Sequence, residues 1–466
     1  MAVKLRLLVI YGEILLETNI HNYATCLMVV VLLFASGGHC QKALAETASS
    51  RDKGSLGATW EEVKEGFDYT VRTLVFGTRQ EPADSSQNPE NDFLKLAGHQ
   101  LNIELRPDFR LVYKSFDFVL KPRMIYEWQK IDEGSDDPQT AQEDDVFVNE
   151  WLVRKRVTER LLVSYGRENI QWGPSLLSSP TNPFFQDNGR LRLKDEIRGS
   201  DFARLVWVPS ASWSVSVIVN TGKGEQDAGT PFKEAYALKI DFIGDAAYAS
   251  LIGSYKRDDR PRLGAYMGWT ASDALLLYGE GVLQQGSEAL YPVASANPFH
   301  ASMEKSKTDD DHPEGMVVAG GSYTLMAGPT LTFEYLFNSL GYDNGEADQY
   351  YELRQNAADA YFSTGPLAGL SRQTLAQTAD PGLRFLRRHY LMLQVVHPDI
   401  NDVLSLTGRW LWNMDDGSSR LYAGMVYSWG DHIELFTYGT YNPDGADTEF
   451  GTFYKYQWVL GVEYIY

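Results

Sequence analysis

A chain of 466 residues with a formal net charge of −20 repels nucleic acid and suits anionic membrane surfaces poorly. Its length fits either several soluble domains or one large barrel. After residue 45 no run of about 18 apolar residues occurs, so a helical membrane span is excluded; a membrane protein of this hydropathy has to be a closed barrel.

Residues 1–45 read as an export signal. Lys4 and Arg6 supply positive charge, Cys26 to Ala35 an apolar core, and Ala43-Leu44-Ala45 a small-x-small cleavage site. Both cysteines, Cys26 and Cys40, fall inside this leader. The exported chain therefore carries no disulfide and no cysteine-based metal site. The stretch before the apolar core is long and contains Glu13 and Glu17, which leaves the true start codon open. Residues 46–66 read as a periplasmic lead-in.

From residue 67 onward a two-residue rhythm dominates. Strands are predicted near 67–77, 98–107, 113–128, 145–156, 159–171, 196–208, 212–220, 232–243, 246–256, 261–270, 273–284, 314–326, 330–340, 385–397, 402–412, 418–429, 431–441 and 451–466. The first competes with an amphipathic helix, because Trp60, Val63, Phe67, Val71 and Leu74 also share a helical face; that reading lowers the count from 18 to 16. Apolar stripes such as Phe116, Phe118, Leu120, Met124 and Tyr126 alternate with Asp117, Lys121, Arg123 and Glu127. Trp128, Trp213, Trp412 and Trp429 sit near stripe ends, where an aromatic girdle belongs. The last stripe, Tyr454 to Tyr466, is apolar or aromatic at every second residue and stops on Tyr466. It resembles the assembly signal of Gram-negative outer-membrane proteins.

Short links (Pro107 to Phe109, Pro209 to Ser212, Gly244 to Ala246, Ala271 to Asp273, Ala327 to Pro329, His397 to Asn401, Gly430 to Asp431) alternate with longer polar ones. The longer links are 129–144, 172–194, 221–232, 284–313, 340–384 and 442–450. Short turns on the periplasmic side and long loops outside suit an all-β, closed antiparallel transmembrane barrel over 67–466. The 340–384 link, with a helix expected over Glu352 to Tyr361, is either a plug or an outer cap.

The sharpest local feature runs from Gly166-Arg167 to Trp172-Gly173-Pro174 and on to Asn182-Pro183. Gly173 permits a sharp bend and Pro174 fixes it. Arg167 is placed to fork onto Glu168 or Glu196. This segment resembles porin-like outer-membrane families in which a G-R-x-x-x-x-W-G strand end precedes an N-P loop. The resemblance covers a few dozen residues and implies a channel or envelope-transport role. The W-G-P loop is also similar to that of capsule-assembly lectin barrels, which implies a non-conducting barrel that anchors surface polysaccharide. The loop either anchors itself or folds inward and narrows the mouth, with Arg167, Trp172, Gly173, Pro174, Asn182 and Pro183 as its candidate residues.

Candidate pore-lining charges on the wet face are Lys121, Arg123, Arg204, Lys239 and Arg409, with Asp117, Glu127, Asp241, Glu280 and Glu334. They set a transverse field or pair across neighbouring strands. The acidic runs Asp309-Asp310-Asp311 and Asp132 to Asp145 lack EF-hand spacing and read as solvated surface. No metal or cofactor is expected. His99, His300, His312, His389, His397 and His432 are scattered, without an H-E-x-x-H motif or a G-x-S-x-G turn. An envelope hydrolase is therefore the third reading. The first is a porin-like channel in the Gram-negative outer membrane, passing small hydrophilic solutes. Its expected partners are membrane lipid and lipopolysaccharide, and the barrel-assembly machinery at Tyr466. No nucleic acid is expected, and the oligomeric state stays open.

Overall fold

A computed structural model describes residues 62–131, 139–185, 187–226, 232–257, 259–293, 302–305 and 313–466. The leader, most of the lead-in, His300, His312, Asp309-Asp310-Asp311 and the start of the Asp132 to Asp145 run lie outside the described residues. The chain divides into Met1–Gly66 and Phe67–Tyr466. Of the first unit, Glu62 to Glu65 form one helical turn.

The second unit is built from β1 (Phe67–Pro82), β2 (His99–Tyr113), β3 (Phe116–Ile131), β4 (Gln139–Thr158), β5 (Leu161–Glu168), β6 (Ser200–Ser210), β7 (Trp213–Gly222), β8 (Ala235–Ile243), β9 (Ala247–Lys256), β10 (Arg262–Ser272) and β11 (Leu275–Gln285). A small hairpin, β12 (Tyr291–Val293) and β13 (Ser302–Glu304), precedes β14 (Pro313–Thr324) and β15 (Thr330–Asn338). Two helices follow, α1 (Asn344–Tyr361) and α2 (Pro366–Ala379). The wall then resumes with β16 (His389–Ile400), β17 (Leu404–Asn413), β18 (Ser419–Trp429), β19 (Ile433–Tyr441) and β20 (Tyr454–Ile465). All strands except β12 and β13 form one 18-stranded sheet. Each pairs antiparallel with the next, and β1 pairs with β20, for example Val75 with Val462, which closes the barrel.

The alternation in the sequence becomes two faces. Outward residues such as Ile103, Val217, Leu238, Met267, Phe333 and Leu460 are exposed apolar side chains. Trp207, Trp213, Trp269, Trp429 and Tyr464 ring the short-turn end, and Tyr126, Tyr236, Tyr255 and Tyr441 the long-loop end. An apolar band between two aromatic girdles is the surface a bilayer requires. The inward face buries Glu104, Arg106, Arg123, Glu280, Glu334 and Glu463. No helix among the described residues is long and apolar enough to cross a membrane.

Three expectations are corrected. The link expected at Pro107 to Phe109 is the middle of β2; the turn falls at Lys114 and Ser115, where Lys114 takes a positive φ of 55°. Trp60 to Thr78 is not one helix, since β1 runs unbroken from Phe67. The helix expected over Glu352 to Tyr361 begins at Asn344, behind a capping box in which Asp343 accepts from the Glu346 amide and Glu346 from the Asp343 amide.

Candidate functional site

The long segment between β5 and β6, residues 169–199, folds against the inner wall and follows it round. Ile170, Trp172 and Phe185 pack on Phe202, Ile218, Ala237 and Ile252, one residue from each of β6 to β9. Thr181 reaches β11, and Ser175 to Leu177 reach β15. Arg409 of β17 donates to the Leu191 carbonyl, and Lys194 pairs with Glu434 of β19 and Glu463 of β20. Glu196 pairs with Arg72 of β1 and Arg123 of β3, and Asn149 of β4 donates to the Ile197 carbonyl. The contacts thus pass right round the wall and return to the strands beside their origin. The segment is a collar fastened on all sides rather than a ball held by its own core.

The G-R … W-G-P … N-P residues shape the start of this collar. Arg167 forks onto Asp201 at 2.9 Å and onto Glu225, and donates to the Val148 carbonyl; the expected partners Glu168 and Glu196 are not used. Trp172 is buried in the inner cluster, its indole N–H donating to Thr181 Oγ1 at 3.2 Å. Asn182 is fully buried; its side chain donates to the Ile170 carbonyl and accepts from the amides of Phe184 and Phe185. Pro183 follows it into that turn, as Pro174 follows Gly173.

Gly173 has a φ of 83°, and a Cβ there would fall on the Glu280 carboxylate. Backbone strain alone costs a non-glycine residue about 1–2 kcal/mol in this region, and the steric conflict adds to it. Gly173→Ala is therefore expected to loosen the collar without unpairing the wall. Limited proteolysis reads this directly: a new cleavage within 169–199 is expected, with the strands of the barrel wall left uncut.

Two inner-wall carboxylates grip the first half of the collar. Glu334, with no exposed surface, accepts from the Leu176 amide at 2.6 Å, the Leu177 amide at 2.9 Å, Ser175 Oγ at 3.1 Å and Tyr278 Oη at 2.7 Å. Glu280 accepts from the Thr181 amide at 3.2 Å and its hydroxyl at 2.7 Å. Both face inward, but the collar covers them, so they bind the collar instead of lining open water.

The second half is held by an arginine set into a gap in the wall. Pairing between β2 and β3 runs to Leu105 with Met124 and resumes at Phe109 with Leu120. Extending that register puts Pro107 opposite Pro122. Neither has an N–H, so the ladder loses its donors there. Arg123 replaces them, its Nη1 donating to the carbonyls of Pro107 at 3.0 Å and Pro122 at 2.8 Å. Its Nε and Nη2 form a fork on Glu196 at 2.5 and 3.0 Å, and Nη2 also reaches Asp108 at 2.8 Å. Arg72 lies 3.1 Å from Glu196 and 3.2 Å from Asp108. Burial tends to raise the Glu196 carboxyl, but Arg123, Arg106 and Arg72 together hold it below its ordinary range.

Most of the remaining candidates pair within the wall. Lys121 meets Glu150 at 3.1 Å; Asp117 meets Arg110 at 3.0 Å and Arg154 at 3.4 Å. Lys239 pairs with Asp241, which also accepts from Ser214 and Ser250. Glu127 accepts from Gln129, and the buried Nε of Arg204 has no hydrogen-bond partner among the described residues. Arg72, Arg106, Asn149, Lys194 and Glu463 are collar anchors that sequence reasoning missed. For those on strands, the usable signal was their inward phase.

Above the collar, Arg384 donates to the Leu177 carbonyl at 2.8 Å and pairs with Asp187 at 3.3 Å. Beside it, Glu449 accepts from Tyr390 Oη at 2.5 Å, Asn413 Nδ2 at 2.7 Å and the Leu386 amide at 3.1 Å. Burial, helped by Asp416 and opposed by Tyr390, Leu386 and Arg420, pushes the Glu449 carboxyl up to about 7. A carboxyl raised on folding adds stability below its unfolded pKa, near 4.5, and that contribution is lost as pH rises through about 7. The 442–453 loop is expected to resist protease better at pH 5 than at pH 8. Glu449→Gln should flatten the difference. Among the described residues no group of three or more His, Cys, Asp or Glu is arranged to hold a metal ion.

No family model matches the sequence, and no curated protein matches it. Solved structures do. Pseudomonas aeruginosa OccK11 (OpdR) aligns over 86% of this chain and 96% of its own, at 11% identity and a TM-score of 0.51. Pseudomonas aeruginosa OprD aligns over 86% and 95%, at 12% identity and a TM-score of 0.48. Acinetobacter baumannii OccAB1 aligns over 86% and 96%, at 9% identity and a TM-score of 0.48. These neighbours are outer-membrane porins of Gram-negative bacteria. At such identities the likeness is one of fold, and the fold of this chain is a closed 18-stranded antiparallel barrel of the porin kind.

Proposed function

We propose that this chain is a porin-like channel of the Gram-negative outer membrane, through which small hydrophilic solutes diffuse passively, with residues 169–199 as its constriction. The observation that carries this reading is the collar's attachment to the wall all the way round. A segment tied to the wall all round supports a constriction rather than a plug held by its own core, and the proposed water path runs along the barrel axis. The apolar band and its two girdles support a bilayer location. The leader, cleaved near Ala45, serves export; the final strand, ending at Tyr466, serves recognition by the assembly machinery.

The rival reading is a sealed barrel that holds surface polysaccharide, and it draws on the helices at the mouth. Liposome swelling separates the two. Proteoliposomes in isotonic solutions of small sugars are expected to swell, more slowly as the sugar grows. Absence of swelling for the smallest sugar, together with retention of polysaccharide, would support the rival.

A further inference from the structure

The connection from β15 to β16 does not stay near its own strands. The first half of α1 (Ala347, Tyr350, Leu353) packs against Tyr291 and Met303 of the β12–β13 hairpin, which rises between β11 and β14. Its last turn (Ala357, Tyr361) packs with Leu375 of α2 and with Phe93, which belongs to the loop between β1 and β2. Along the wall those two supports are separated by β14 to β20 and β1, eight of the 18 strands. That is close to half the circumference, so the helix pair runs nearly along a diameter. The dimensions agree. An 18-residue helix is about 27 Å long. Eighteen strands spaced about 4.8 Å and tilted about 40° make a barrel about 36 Å across between opposite backbones, and side chains and loops take up several ångströms on each side.

We propose that α1 and α2 form a lid across the outer mouth, rooted at β15 and β16 and latched at its far end; this inference rests on the channel reading. The root is firm: Arg388 donates to the Gly341 carbonyl at 3.0 Å and faces Asp343 at 3.5 Å, and Tyr342 is fully buried. Among the described residues, the far end is held only through the loop between β1 and β2, with no chain connection to the wall there. Tyr361 Oη donates to Asp92 Oδ2 at 2.9 Å, the Tyr361 ring meets Phe93 edge-on at 6.0 Å, and Gln87 Nε2 donates to the Leu375 carbonyl at 2.7 Å. Midway, Arg354 reaches Thr452 at 3.3 Å and Asp447 at 3.6 Å, and Asp447 in turn accepts from Ser86, tying the two supporting loops together. Each latch contact is a single hydrogen bond or ring contact to a loop. The root is continuous with two wall strands, so the latched end is where the lid opens and where solutes gain access to the collar below.

Residues 46–466 contain no cysteine, which permits a clean cross-link. The test uses Phe93→Cys with Tyr361→Cys, joined by a short thiol-reactive linker with a reducible bond, in planar bilayers. Joining the residues is expected to abolish most of the current, and cleaving the linker to restore it. Tyr361→Phe and Asp92→Asn, which leave the wall untouched, are expected to raise the time-averaged current. Equal current before and after linking would overturn the lid while leaving the channel intact. If the linked protein, the unlinked protein and the latch variants are all silent, although inserted and heat-resistant, the channel reading fails and takes the lid with it.

Discussion

Glu334→Ala is expected to release the first half of the collar and to widen the channel. The wild-type carboxylate collects four donors in a site with no exposed surface: two collar amides, the Ser175 hydroxyl and the Tyr278 hydroxyl. Removing it leaves those donors unsatisfied and opens a cavity below Leu176 and Leu177. Leaving buried donors without an acceptor costs about 1–3 kcal/mol each. The cost falls on docking of the collar, because the backbone ladders of β14, β15 and β16 continue through position 334 regardless. Single-channel recording should therefore show larger and noisier conductance steps from a barrel that still resists heat and detergent. Glu334→Gln keeps the shape but turns an amide N–H toward donors, so it should fall between the two. Unchanged conductance from Glu334→Ala would mean that the collar is not the narrowest element.

Arg123→Ala should be at least as disruptive, and in two places. The side chain supplies the donors that Pro107 and Pro122 lack, and it holds Glu196 of the collar. Buried carbonyls left without a donor are costly, and Glu196 would keep Arg72 and Arg106 as cationic neighbours. A loss of about 3–5 kcal/mol is expected from breaking such a buried pair. Arg123→Lys should not rescue it, because one ammonium cannot reach two carbonyls and fork a carboxylate at once. Glu196→Gln separates the roles: it frees the collar and spares the seam. The expected order of unfolding temperature in detergent is wild type, Glu196→Gln, then Arg123→Lys above or equal to Arg123→Ala.

Much of the architecture was readable because a lipid-facing strand has a strict chemical phase. Stripes such as Leu331, Phe333 and Tyr335 can face only one way, and the Glu334 between them only the other. Turns were harder. Pro107 looks like a break, yet it lies within a strand because Pro122 and Arg123 stand across from it; that partnership joins residues 15 or more positions apart and leaves no local trace. The start of α1 was legible in Asp343 and Glu346, spaced as a capping box, and went unread amid the polar loop. The collar's chemistry was legible by halves. Gly173 and Asn182 announce a shaped turn, but which carboxylate sits against Gly173 depends on β11, more than 100 residues later. Wall charges showed their phase but not their cover, so Glu280, Glu334 and Arg123 looked like groups facing water.

On the proposed reading, an aqueous path runs along the axis of this barrel past a collar pinned to its wall. Reconstitution of the detergent-purified, unmodified protein into a planar bilayer tests it most directly. Discrete current steps, proportional to salt concentration, are the expected result. An inserted, heat-resistant barrel that passes no current, and still passes none after Glu334→Ala, would contradict it.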